Sequence, residues 1–291
     1  MKNRILYLTI LVILSTSFIV FSCKKDDKTK DIVNNETTSS KDNSISQNMF
    51  DDVKKVVEET ANDEGQTAKS GYFFGTCAAV TIVPAWIDST TWPKVMTIDF
   101  GTTNCIGTDG TNRRGKLVVT LTDRHRNPGS VLTVQPQNYF VNDNQIEGTK
   151  TITNNGRNAA NHLTFTVQVT NGKITFSTGG STTWNSTRTN EWIAGESTSW
   201  HSDGMNGICD DVHLITGSAS GVNRNGLAYT VNITSALRKE KCCKWIVSGK
   251  LDIIPSGLLT RSVDYDPTNT GNCDDIASVT IGGNVFTVNM N

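Results

Sequence analysis

Apolar and polar residues alternate with period two along most of this chain. In residues 162–170, Leu163, Phe165, Val167 and Val169 fall on one face and Thr164, Thr166, Gln168 and Thr170 on the other. Residues 228–234 repeat the pattern through Tyr229, Val231 and Ile233, and residues 116–122 through Leu117, Val119 and Leu121. Such alternation is the mark of a half-buried antiparallel strand. Asn154-Asn155-Gly156, Asn171-Gly172, Asn225-Gly226 and Gly282-Gly283-Asn284 punctuate the runs at hairpin distances and predict turns.

The hairpin unit recurs. Residues 146–154 followed by 165–170 align with residues 215–223 followed by 229–234, so that Ile146, Gly148 and Asn154 match Ile215, Gly217 and Asn223. Weaker echoes lie at residues 111–122 and 278–290, too irregular for a solenoid. An aliphatic-x-Gly step occurs at Ile146-x-Gly148, Ile193-x-Gly195, Ile215-x-Gly217 and Val247-x-Gly249. Glycine weakens a strand unless a bulge, sharp coiling or an overlying ring uses the missing side chain, and Trp192, Trp245 and Tyr229 are available as such rings. The expected fold is all-β: a strongly twisted antiparallel sheet of repeated hairpins, curled as a sandwich or an open half barrel.

Ahead of the strands the period changes. Over residues 47–63, Phe50, Val53, Val56, Val57 and Thr60 recur at helical spacing, with Asp51, Asp52, Lys54, Lys55, Glu58 and Glu59 on the opposite, solvent-facing side and Ser46 as a cap. One short amphipathic helix is predicted, its apolar stripe laid on the domain that follows. Residues 23–46 carry Lys, Asp, Asn, Ser and Thr with few large apolar groups, which reads as a flexible tether. Residues 1–22 pair the basic cap Lys2 and Arg4 with an apolar run, as a secretory signal peptide does; about 17 apolar residues is the lower limit for a membrane span.

Val20-Phe21-Ser22-Cys23 resembles a bacterial lipobox, in which the cysteine is acylated and becomes the new N-terminus. Lys25, Asp26 and Asp27 just beyond it resemble the surface-export signal of Bacteroidetes lipoproteins. The resemblance implies a membrane partner through the lipid anchor and an outer-membrane location, exposed on the cell surface.

Removing residues 1–22 takes Lys2 and Arg4 and no acid from 27 basic and 28 acidic residues, so the remainder carries a formal charge of −3. Nothing in that balance suggests nucleic acid. With Cys23 acylated, Cys77, Cys105, Cys209, Cys242, Cys243 and Cys273 remain, an even number suited to an oxidising compartment. Proximity along the chain favours Cys77 with Cys105 and Cys243 with Cys273, leaving Cys209 for Cys242. As neighbours in a strand, Cys242 and Cys243 would point to opposite faces, Cys243 inward with Trp245 and Val247.

Candidate chemistry in the single domain of residues 70–291 is sparse. His201, Asp203, Cys209, Asp210, Asp211 and His213 are the densest set of potential ligands, but their spacing matches no standard zinc pattern, and neither a metal nor any other cofactor is expected. Asp266 opens a stretch like a calcium loop, yet Thr268 and Thr270 replace the next ligands and Ala277 stands where the closing glutamate belongs, so a plain turn is expected. There is no Gly-x-Ser-x-Gly and no His-Glu-x-x-His, and no catalytic residue is assigned. Asp99, Asp123, Glu147, Glu191 and Glu196 are the carboxylates from which a glycosidase pair could be drawn. Trp184, Arg188 and Trp192 share a parity, with Ser186 and Asn190 between them. If exposed they would form a sugar-stacking face; if buried, they would fill the glycine gaps.

Residues 151–167, 183–198 and 215–234, taken with the anchor, resemble a group of uncharacterised Bacteroidetes surface-type lipoproteins. That resemblance implies anchor, compartment and an all-β domain, and brings no ligand or catalytic residue. The functional expectation is a non-catalytic binding or structural role in the cell envelope, with a glycan or an envelope protein as partner. The alternatives are a carrier sheltering an apolar ligand in the curved sheet and a glycan-acting hydrolase.

Overall fold

The structure, a computed structural model, describes residues 37–62, 73–199 and 203–290. The signal peptide, the lipobox and the export-like Lys25-Asp26-Asp27 lie outside the described residues. Helix α1 (Thr38–Asn62) precedes β1 (Ala79–Val83), β2 (Lys94–Asp99), β3 (Cys105–Ile106), β4 (Asn112–Leu121), β5 (Val131–Val141) and β6 (Asn144–Arg157). Next come β7 (Leu163–Thr175), β8 (Ser181–Ala194), the single turn α2 (Asn206–Cys209), β9 (Val212–Val222) and β10 (Ala228–Glu240). The chain closes with β11 (Ser248–Pro255), β12 (Arg261–Asp264), β13 (Ile276–Ile281) and β14 (Asn284–Asn289).

All 14 strands form one antiparallel sheet in which sequence neighbours pair, β3 lying beside β4 off the main path. β1 and β14 remain its two edges, so the sheet is open and is not a sandwich. Alternation sets its two faces. Leu163, Phe165, Val167 and Val169 are buried with Leu117, Val119, Leu121, Leu251 and Ile253 in one core. The other face carries hydroxyls and amides in register: Thr120 pairs with Thr133, Thr133 with Thr151, Thr151 with Gln168, Gln168 with Thr187, and Thr187 with Ser218.

The glycine steps are where the sheet coils. Gly148 and Gly217 both have positive φ, 118° and 114°. A Cβ on Gly217 would stand 2.3 Å from the Thr187 carbonyl oxygen, and one on Gly148 would stand 2.7 Å from that of Asn171. The repeat therefore preserves a bulge that presses two backbones together. At both positions the nearest atoms belong to the neighbouring backbone, whereas Tyr229, one of the three rings proposed for that role, lies against Gly221. Two predicted turns are bulges as well. Asn154-Asn155-Gly156 sits inside β6 and Asn171-Gly172 inside β7, each at a register shift, whereas Asn225-Gly226 and Gly282-Gly283 do reverse the chain. Turn and bulge use the same positive-φ residues, and here pairing continues on both sides of the kink.

Helix α1 is longer than predicted and differently placed. It starts at Thr38, so residues 38–46, read as tether, are helical, and Ser46 lies inside the helix and not at its cap. Side chains of β4, β6 and β8 and of the turn after β9 all reach this one helix, which requires the sheet to curl around it. Phe50, Val53, Val56, Val57 and Ala61 enter the core as predicted. The polar half is buried too: Ser39, Asp42, Asn43 and Ser46 are each 0% exposed. Buried polar groups need partners, and the sheet supplies several. Asn223 Nδ2 donates to Ser39 Oγ at 2.9 Å, Trp184 Nε1 to Asn43 Oδ1 at 3.0 Å, and the Arg224 backbone N–H to Asp42 Oδ2 at 2.7 Å.

Candidate functional site

The face singled out in β8 is internal. Trp184, Arg188 and Trp192 are 2%, 4% and 6% exposed, and Ser186 and Asn190 between them are buried. Trp184 stacks on Phe50 of α1, with ring centroids 5.6 Å apart. Trp192 stacks on His213 at 5.5 Å and lies under the Arg126 guanidinium at 5.1 Å. An exposed sugar platform at these residues is thereby excluded, because the helix extends over the face that would have carried it. Arg188 is unusual in this layer. Its Nε, Nη1 and Nη2 have no hydrogen-bond partner among the described residues. Burial lowers its pKa to about 10, against the opposing influence of Tyr265 and Asp51.

The charges of α1, expected in solvent, are largely enclosed by the sheet. Arg113 of β4, 1% exposed, donates from Nε to Asp52 Oδ2 at 2.9 Å and from Nη1 to Asp109 Oδ1 at 3.0 Å. Lys55 Nζ also reaches Asp109, at 2.6 Å. Burial pushes the Asp109 carboxyl up, but Arg113 and Lys55 hold it well below the usual range. Farther along the helix, Glu58 lies 3.1 Å from Lys54 and 3.3 Å from His125 Nε2. Burial pushes the Glu58 carboxyl up, but the Lys54 charge and the hydrogen bond with His125 outweigh it, and the Glu58 pKa falls. From β6, Lys150 Nζ donates to the Phe50 carbonyl at 2.6 Å. Desolvation lowers its pKa to about 8, opposed by Asp51 and Glu58.

Near the start of α1 the wall of the curl opens into a cleft of about 380 Å³. Thr38, Ser40 and Lys41 from the first turn, with Asp42 and Arg224, make its polar end. Ile45, Val263, Val279, Val288 and Met290 are apolar residues of its lining, and the buried Tyr265 also borders it. Arg224 and Asp42 are joined, with Nε donating to Oδ1 at 2.8 Å. Burial raises the Tyr265 pKa, partly countered by its hydrogen bond with Ser44 and by the charge of Arg188.

The other candidates are accounted for individually. Glu147 pairs with Lys173 at 3.2 Å, Glu191 with His162 at 2.7 Å, Asp99 with Lys116 at 2.8 Å, and Glu196 with Arg157. Asp123 accepts the Arg124 backbone N–H. Asp266 accepts the N–H groups of Thr270 and Gly271, closing a plain turn. His201 lies outside the described residues, and among the described residues no three His, Cys, Asp or Glu side chains meet as a metal site would require.

The six cysteines pair as sequence proximity favoured: Cys77–Cys105, Cys209–Cys242 and Cys243–Cys273. The supporting strand argument is corrected, because β10 ends at Glu240 and Cys242 and Cys243 lie in the turn beyond it. The turn itself separates them: Cys242 is exposed and Cys243 is buried. Lys239 Nζ holds this turn by donating to the carbonyls of Cys243 at 2.7 Å, Lys244 at 2.9 Å and Trp245 at 3.1 Å.

Cys23, Lys25, Asp26 and Asp27 lie outside the described residues. Asp42, Asn43, Arg113 and Lys150, which build the interior, were not singled out from sequence, since isolated polar residues give no sign of a partner far along the chain. Comparison with known protein families, with curated proteins and with solved structures finds no match.

Proposed function

We propose that this chain is a cell-envelope lipoprotein of the Bacteroidetes surface type. In this reading it is held in the outer membrane by a lipid on Cys23 and displayed on the cell surface, where its all-β domain has a non-catalytic binding or structural role. The observation that carries the reading is the cysteine pairing. The chain has seven cysteines; six close on one another in three disulfides, and the seventh is Cys23 behind an apolar leader. Disulfides persist in oxidising compartments, which supports export.

The geometry also favours binding over the two alternatives. The concavity that a carrier of apolar ligands would use is filled by Phe50, Val53, Val56 and Val57 of α1. The carboxylates a glycan-acting hydrolase would need are tied into separate ion pairs or a local turn. The outer face of the sheet, with its rows of Thr, Ser and Gln, is the surface left for a glycan or an envelope protein.

The test is fatty-acid labelling in a Bacteroidetes host. Cys23→Ala should abolish incorporation of labelled palmitate, and replacing Lys25, Asp26 and Asp27 by Ala should protect the still membrane-bound protein from protease added to intact cells. Palmitate incorporation into the Cys23→Ala protein would overturn the anchor, and unchanged protease access would overturn the export signal.

A further inference from the structure

We infer that the cleft at the start of α1 is the docking site of the chain's own upstream segment, with Ile32 and Val33 seated on its apolar lining. The cleft has apolar surface to cover. Ile45, Val288 and Met290 line it and pack against the core, yet each is only half-buried, beside the fully buried Val263 and Val279. Val288 belongs to β14, an edge of the sheet with no strand beyond it among the described residues.

Where the described chain begins decides the occupant. Thr37, its first residue, and Thr38 both border the cleft, so the residues before them leave from its lip. In residues 24–36 the only large apolar side chains are Ile32 and Val33; the rest are Lys, Asp, Asn, Thr and Glu. Val33 lies four residues and Ile32 five residues upstream of Thr37, an extended reach of at most roughly 14–18 Å. Both side chains can therefore reach the cleft without disturbing the helix. Tethered this closely, they compete for it at an effective concentration of about millimolar, ahead of a free ligand or a second copy of the chain.

The inference goes beyond the proposed role and does not rest on lipidation of Cys23. It divides the stretch expected to be tether, since docking of Ile32 and Val33 leaves only residues 24–31 as the leash.

The test places an aliphatic diazirine side chain at position 33 of the purified full chain, kept in phosphatidylcholine nanodiscs, and maps the photo-adduct by peptide mass spectrometry. An adduct within one chain, to the peptides carrying Ile45, Val279, Val288 or Met290, is expected. An adduct joining two copies, an adduct to lipid, or no adduct at those peptides would overturn the inference. A melting measurement stands beside it. Ile32→Asp combined with Val33→Asp should lower the midpoint by at least about 4 °C, the shift that taking two aliphatic side chains out of water gives a domain of this size. Asn34→Asp combined with Asn35→Asp adds the same charge and should leave the midpoint unchanged or higher, since acids ahead of α1 suit its dipole. A midpoint equal to wild type in the first variant, or an equal loss in both, would overturn the inference.

Discussion

Lys150 offers a test of the enclosed interior, because its protonation is coupled to folding. The side chain is 2% exposed and donates one hydrogen bond, to the Phe50 carbonyl at 2.6 Å. Its pKa falls from 10.5 to about 8 on burial. A base whose folded pKa lies below its unfolded value binds fewer protons when folded, so stability rises with pH between the two values. For a shift of that size, linkage gives about 2 kcal/mol of added stability per lysine between pH 7.5 and 9.5. Lys239, also lowered to about 8 by desolvation, adds in the same direction. Urea unfolding of the disulfide-bonded protein across this range measures the slope. Lys150→Met should remove Lys150's share of it and leave stability at pH 7.5 unchanged or higher, since Met matches the stem and strands no charged partner. A wild-type stability that falls between pH 7.5 and 9.5, or a Lys150→Met slope equal to wild type, would refute the reasoning.

Two further predictions follow from buried pairings. Arg113→Met leaves Asp52 and Asp109 facing each other with only Lys55, and should cost about 3–5 kcal/mol in urea unfolding; adding Asp52→Leu should recover most of it, and a double mutant no better than Arg113→Met would contradict the pairing. After mild reduction, the exposed Cys242 and Cys273 should alkylate before the buried Cys243 in peptide mapping. Cys243→Ala should destabilise more than Cys242→Ala, each bridge contributing roughly 2–4 kcal/mol; equal labelling of Cys242 and Cys243 would contradict the burial difference.

What the sequence disclosed and what it hid have physical causes. Strands were legible because alternation is a local property, visible in Leu163, Phe165, Val167 and Val169 without any partner. That Gly148 and Gly217 are special was legible because a glycine recurs in the same register of two repeats, but the choice among a bulge, sharp coiling and an overlying ring was settled only by the backbone pressed against each. Asn171-Gly172 was misread as a turn because a bulge and a turn need the same backbone conformation, and only the pairing on both sides distinguishes them. The start of α1 was hidden for a different reason. Ser39, Asp42 and Asn43 look like tether, and their burial depends on Asn223, Arg224 and Trp184, which lie 141 to 184 residues away. A separation of 61 residues likewise concealed the enclosure of Asp52 by Arg113, and the burial of Trp184, Arg188 and Trp192 beneath the helix was hidden with it.

The most direct test of the proposed role is the intact mass of the protein extracted from membranes, followed by sequencing of its N-terminal peptide. The account predicts a chain that begins at Cys23, heavier than residues 23–291 by a diacylglyceryl group, with three disulfides retained. An N-terminus at any other residue, or an unmodified Cys23, would contradict it.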